Sequence, residues 1–115
     1  GTVLWMAPEV MTNFMQPGTS AYDKRCDIFS YAVLVYEIYN CKVPYSELAI
    51  NDQSHLIMAI LQQQIRPNVW RPNAVNRDVR NFIMRCWAQN PNHRPQTFGE
   101  VIQLLQEIRP AGFEM

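Results

Sequence analysis

Asp27-Ile28-Phe29-Ser30-Tyr31-Ala32-Val33-Leu34-Val35-Tyr36-Glu37-Ile38-Tyr39 is the most apolar stretch of the chain, and after Asp27 only Ser30 and Glu37 interrupt it. An ordinary buried strand runs about 4–8 residues, so a run of this length reads as helix. A helix that is apolar on nearly every side has to be surrounded by protein. The β-branched and aromatic content leaves strand open for part of the run.

The segments on either side of this rod also read as helices and connectors. Residues 40–48 hold Pro44 and read as a loop. Residues 52–63 form a modest helix with Leu56, Ile57, Ile60 and Leu61 on one side. Residues 66–76 carry Pro67 and Pro72 and read as an extended connector, because a residue before proline avoids the helical region. Val79, Phe82, Ile83, Cys86 and Trp87 recur at i, i+3, i+4, i+7 and i+8, one stripe of a helix over 76–87 with Asn76 as its N-cap. Thr97 and Glu100 form a T-x-x-E capping box opening a last helix over 97–109, with Phe98, Val101, Ile102, Leu105 and Ile108 as its buried stripe. Pro110 and Gly112 end it. On the N-terminal side, residues 1–6 are a short apolar approach to Pro8, and 12–21 read as a surface loop. Met11, Phe14 and Met15 pack locally and have no functional reading. The expected fold is all-α, with helices packed around one buried central helix.

Composition narrows the function classes. In 115 residues, 48% are hydrophobic and 11% aromatic, enough to build a core and too much for a disordered chain. Ten Lys and Arg balance ten Asp and Glu, which excludes a broad electrostatic grip on nucleic acid or on an anionic membrane. No apolar run reaches the ~18–20 residues of a membrane span. Cys26, Cys41 and Cys86 are widely spaced and make no zinc pattern with His55 and His93. They read as free thiols in a reducing compartment, hence a cytoplasmic location. Gly1 stands where a Met would open a whole chain, so the sequence reads as a piece of a longer one.

Complete active-site machinery is missing. Gly1, Gly18, Gly99 and Gly112 are isolated and form no phosphate-cradling loop. No Ser/His/Asp or Cys/His order stands out. His93-Arg94 invites comparison with a catalytic H-R-D loop, but Pro95 stands where the proton-accepting Asp belongs.

Three constellations are informative in their order: Gly1-Thr2-Val3-Leu4-Trp5-Met6-Ala7-Pro8-Glu9-Val10; Asp27-Ile28-Phe29-Ser30-Tyr31-Ala32 leading to Val43-Pro44-Tyr45; and Cys86-Trp87-Ala88-Gln89-Asn90-Pro91-Asn92-His93-Arg94-Pro95 leading to Phe98. Together they resemble the C-terminal lobe of a eukaryotic protein kinase over nearly the whole chain. Trp5-Met6, Cys86-Trp87 and Asn90-Pro91 are similar to the tyrosine-kinase-like group of mixed-lineage and Raf-type Ser/Thr kinases. The implied domain plan is one C-terminal portion of a kinase domain over 1–115, from the end of the activation segment to the last helix, with no second domain.

The resemblance implies roles residue by residue. Glu9, of A-P-E, would clamp Arg94, of R-P; on the residues alone they read as two unrelated surface charges. Asp27 would open the central helix and accept hydrogen bonds from catalytic-loop backbone upstream of this chain; a simple N-cap explains it as well. Ala32 stands where the family usually has glycine. Trp87 would be structural. Thr2, Val3, Leu4, Trp5 and Met6 would form the loop receiving the residue after the phospho-acceptor, helped by the surface of the 52–63 helix. Thr2 points to Ser/Thr specificity, because tyrosine kinases carry proline there.

By the same resemblance, the intact parent would move the γ-phosphate of ATP, with Mg²⁺, to protein Ser or Thr hydroxyls. The base, the metal-binding Asp and the ATP-binding Lys lie upstream. This chain would hold no cofactor or metal, would be inactive alone, and would have the rest of the same kinase domain and a protein substrate as partners. The alternatives are a pseudokinase or binding module of the same fold, and an unrelated helical interaction domain.

Overall fold

A computed structural model describes residues 2–16, 18, 23–50, 52–71 and 77–108, leaving aside the side chains of Thr2, Phe14 and Met15. A 3-10 turn, Thr2–Trp5, is followed by α1 (Pro8–Met15), α2 (Lys24–Asn40), α3 (Gln53–Gln63), α4 (Arg77–Cys86), a short 3-10 turn at Pro91–His93, and α5 (Phe98–Glu107). Among the described residues there is no strand, so the all-α expectation holds and the strand alternative for the apolar rod falls away.

The rod is α2, and it begins earlier than Asp27. Asp23 caps it in extended conformation (φ −148°, ψ −177°), its carboxylate accepting the Arg25 backbone N–H at 2.8 Å. Asp27 therefore does not open the helix; it is exposed in the first turn, where a negative charge still suits the helix dipole. Ile28, Phe29, Ala32, Val33 and Tyr36 are completely buried, each of the larger ones contributing ~1.5–3 kcal/mol. The Ala32 methyl lies inside this core with the helix continuous through it. The opposite face is bare: Leu34 is 46% and Ile38 65% exposed. The expectation of protein on every side is thus met on one face only. α2 ends at Cys41, whose left-handed backbone (φ 53°, ψ 40°) sends its N–H back to the Glu37 carbonyl at 2.8 Å.

α1 corrects the reading of 12–21 as a loop. Pro8 sits in its first turn, where a fixed φ and a missing N–H cost nothing, and the helix continues to Met15. Met11 is completely buried beside Val3, Tyr45, Leu56, Ile57 and Ile60, in a second core between α1 and α3. Of that loop, residues 17 and 19–21 lie outside the described residues, as do Asn76, Pro72 and residues 109–115.

α3 is capped by Asp52, which accepts the Ser54 N–H at 3.0 Å. α4 buries Val79, Phe82, Ile83 and Cys86 against α2, and Trp87 follows them into the core. α5 is capped by Thr97, whose hydroxyl accepts the Glu100 N–H at 3.2 Å. Glu100 reaches back to the Gln96 N–H, one residue before the cap, so the box closes with an offset. Its buried stripe also differs: Val101 is buried with Leu104 and Ile108 packed beside it, while Phe98, Ile102 and Leu105 are exposed. α5 packs against α2, and Val101, Leu104 and Ile108 are the side chains at this end that reach the core. Phe98 meets Tyr31 edge-on, ring centroids 6.1 Å apart. No helix among the described residues is long and apolar enough to cross a membrane.

Candidate functional site

The turn after α4 and the 3-10 turn at Pro91–His93 deliver Arg94 into the protein interior. Its side chain is fully buried, against 16% exposure for Glu9. Glu9 arrives from the first turn of α1. The two form a fork-to-fork pair, Nη1 to Oε2 at 2.6 Å and Nη2 to Oε1 at 2.9 Å. The other three N–H groups of Arg94 go to backbone carbonyls: Nε to Ala88 at 2.8 Å, Nη1 to Arg25 at 3.0 Å and Nη2 to Gln89 at 3.3 Å. All five donors are satisfied, which is what a buried guanidinium requires. One side chain thus ties α1, the start of α2 and the α4–α5 connection together.

Phe29 lies beside this cluster. The Cζ atoms of Arg94 and Arg66 lie 5.0 and 4.9 Å from its ring centroid, within the range of cation–π attraction. Arg66 donates to the carbonyls of Trp87 (2.9 Å) and Ile65 (2.9 Å) and to Gln89 Oε1 (2.7 Å), and burial lowers its pKa from the usual arginine value. Gln89 joins both arginines to α3, its amide donating to the Ile60 carbonyl at 3.2 Å.

The 3-10 turn Thr2–Trp5 is pinned to α2 by the two polar residues of the apolar rod. Ser30 Oγ donates to the Trp5 carbonyl at 2.6 Å, and the Trp5 indole N–H donates to Glu37 Oε1 at 3.1 Å. Val3 is buried in the second core, with Leu4 and Met6 packed at its margin. The Thr2 side chain lies outside the described residues. Asp27, Leu34 and Ile38 recur at i, i+7 and i+11 and share the exposed side of α2.

Trp87 sits in an aromatic cluster with Tyr36 and Trp70, ring centroids 5.0–6.0 Å apart. The Tyr36 hydroxyl donates to the Val69 carbonyl and accepts the Val69 N–H, both at 2.8 Å. Buried Asn40 adds a second tie, donating to Tyr36 O (2.9 Å) and accepting the Arg71 N–H (2.8 Å). Burial pushes the Tyr45 hydroxyl and the Cys86 thiol up to about 12 each.

Sequence reasoning paired Glu9 with Arg94 and set Thr2 to Met6 apart as a unit. It missed Arg66, Phe29 and Gln89 as members of the buried cluster, and the anchoring roles of Ser30 and Glu37. For Ser30 and Glu37 a signal was present: they alone break the apolar rod. Arg66 carries no such mark, because its partners are backbone carbonyls and one amide. Among the described residues, no group of three His, Cys, Asp or Glu side chains is placed to hold a metal ion, and the chain has no glycine-rich phosphate loop.

Comparison with known proteins agrees with this geometry. The family of protein tyrosine and serine/threonine kinases matches residues 1–105. The serine/threonine-protein kinase STY17 of Arabidopsis thaliana is 32% identical over 108 residues, 94% of this chain and 17% of that protein. The dual specificity protein kinase shkD of Dictyostelium discoideum is 34% identical over 108 residues, 94% of this chain and 13% of that protein. The RGS domain-containing serine/threonine-protein kinase A of the same organism is 32% identical over 108 residues, 94% of this chain and 8% of that protein. The chain spans less than a fifth of the length of these relatives. A helical scaffold around α2, an A-P-E carboxylate locked to a buried R-P arginine and a match over most of its length leave one assignment: the chain belongs to the protein tyrosine and serine/threonine kinase family.

Proposed function

We propose that this chain is the C-terminal portion of a protein Ser/Thr kinase domain, from the end of the activation segment to the last helix, and that it supplies the substrate-docking loop and the scaffold beneath it. The observation that carries the reading is the double anchoring of Thr2–Trp5 on α2, by Ser30 and Glu37, beside the Glu9–Arg94 clamp. A loop held at both its backbone and its indole presents its outer surface in one geometry, as substrate positioning requires.

The parent would transfer the γ-phosphate of ATP, with Mg²⁺, to a Ser or Thr hydroxyl in a protein. Among the described residues no group of three His, Cys, Asp or Glu is placed for a metal ion, and the sequence has no glycine-rich loop for the phosphates, so no step of the transfer is assigned to them. Their work is to hold substrate and scaffold: Thr2, Val3, Leu4, Trp5 and Met6 at the acceptor, Glu9 and Arg94 as clamp, and Trp87 in the core. The exposed side of α2, where Asp27 stands in line with Leu34 and Ile38, is the surface on which the upstream part of the same domain would rest. The chain alone would be inactive, and a cytoplasmic location fits its free cysteines.

The test is phosphoamino-acid analysis of the intact protein, incubated with labelled ATP, Mg²⁺ and peptides carrying Ser, Thr or Tyr. Labelled Ser or Thr, reduced by Thr2→Ala in a folded variant, is the expected result. Label on Tyr alone would overturn the specificity, and no label on any peptide would favour a scaffold of the same fold.

A further inference from the structure

Away from the docking loop, a groove of about 480 Å³ open to solvent runs along the 65–70 connector and α4. Trp70, Trp87 and Met84 give it apolar walls, and Arg66 and Arg80 are among its lining residues, Arg80 exposed and Arg66 half-buried. The Arg80 guanidinium lies over the Trp70 ring, 4.8 Å from its centroid. Among the described residues, Arg66 donates to neutral oxygens, the carbonyls of Trp87 and Ile65 and the amide oxygen of Gln89. No carboxylate of the described residues lies within ion-pair distance of either arginine. Glu47, the carboxylate on the groove lining, accepts the Asn68 N–H at 3.0 Å, and Glu9 is engaged by Arg94.

The groove therefore combines two arginines, neither in ion-pair reach of a carboxylate among the described residues, with aromatic and thioether walls. Guanidinium groups take carboxylates as charge-assisted, often bidentate, partners, and Trp and Met surfaces take an apolar side chain. Small-molecule sites are concave and bury most of their ligand; an open groove suits a chain lying along it. We propose that this groove docks an acidic peptide segment, an extended stretch in which a Glu or Asp stands next to a Leu-like or aromatic residue. Such a segment would engage the kinase at a place distinct from the loop at Thr2–Trp5, and its binding does not depend on phosphotransfer.

The test is fluorescence anisotropy on the intact protein with a fluorescein-labelled peptide of alternating Glu and Leu. Its counterpart with Gln for Glu, and unlabelled dodecanoate as competitor, complete the set. Saturable binding of the Glu peptide is expected, weakened about tenfold or more by the Gln exchange, the size of one lost charge-assisted contact. The exposed Arg80→Ala should weaken the Glu peptide by a similar factor while leaving the fold intact, so the proposal stays testable even if Arg66→Gln fails to fold. Absence of binding, equal affinity for the Glu and Gln peptides, or indifference to Arg80→Ala overturns it. Displacement of the peptide by dodecanoate at lower concentration than the peptide itself overturns the peptide assignment in favour of a small amphiphilic carboxylate.

Discussion

Glu9 and Arg94, 85 positions apart in the chain, meet as a bidentate ion pair with nitrogen–oxygen distances of 2.6 and 2.9 Å. The guanidinium spends its remaining donors on the carbonyls of Ala88, Arg25 and Gln89. Arg94→Lys should therefore behave as a disruptive change. An ammonium offers three donors from one point and cannot meet a carboxylate fork and three carbonyls at once. Removing one partner of a buried pair costs about 3–5 kcal/mol, and urea unfolding of the intact protein should show a loss approaching that range. A Lys variant as stable as the wild type would contradict this.

The hydroxyl of Tyr36 both donates to and accepts from Val69. Tyr36→Phe leaves half-buried Val69 with an unmet N–H and carbonyl, at a cost near the low end of the about 1–3 kcal/mol of a fully buried group. Chemical denaturation measures the cost, and hydrogen exchange at the Val69 amide should accelerate. Unchanged protection there would show that the hydroxyl is not what holds the connector.

Cys86 is completely buried and its thiol is pushed up to about 12, while Cys41 is exposed. Under native conditions iodoacetamide should label Cys41 and spare Cys86, as peptide mass spectrometry would report; early labelling of Cys86 would place it outside the core. The sign of the alkaline effect follows from the same burial. The unfolded chain releases the Cys86 proton near its ordinary 9.0 and the Tyr45 proton near 10.0, while the folded chain keeps both to about 12. Between these values the folded state holds more protons, so stability is full below pH 9 and falls as pH rises toward 12.

Leu34 and Ile38 stand bare on α2. Purified alone, this chain should melt broadly and bind a hydrophobic dye, because the central helix lacks cover on that face. A sharp, cooperative melt without dye binding would show that the 115 residues are self-sufficient.

Much of this was legible in the residues, for identifiable reasons. Period located α3 and α4 and the Thr97 cap located α5, since the Leu56–Leu61 and Val79–Cys86 stripes and the Thr97 box are local signals that tertiary contacts did not override. α1 was hidden because Asn13, Pro17 and Gly18 read as loop, while Met11, buried within it, packs against α3, far along the chain. The start of α2 was misplaced because Asp27 and Asp23 are both acidic, and only backbone geometry separates a cap from a first-turn residue. The α5 stripe was right at Val101 and Ile108 but took Phe98, Ile102 and Leu105 in place of Leu104, because periodicity gives a face but not the neighbour it turns toward. In the site, pattern alone left Glu9 and Arg94 as two unrelated charges, and the family resemblance joined them. The stacking of Arg66 and Arg94 on Phe29 depends on three segments meeting and leaves no trace in spacing.

The central claim is that Glu9 and Arg94 act as one unit holding α1, and the turn at Thr2–Trp5 before it, to the helical scaffold. A double-mutant cycle with Glu9→Ala and Arg94→Ala in the intact protein, reading unfolding free energy and phosphotransfer to a Ser/Thr peptide together, tests it most directly. The account predicts that each single change lowers both quantities and that the double variant is little worse than the poorer single. Single effects that simply add, or variants with wild-type stability and turnover, would contradict it.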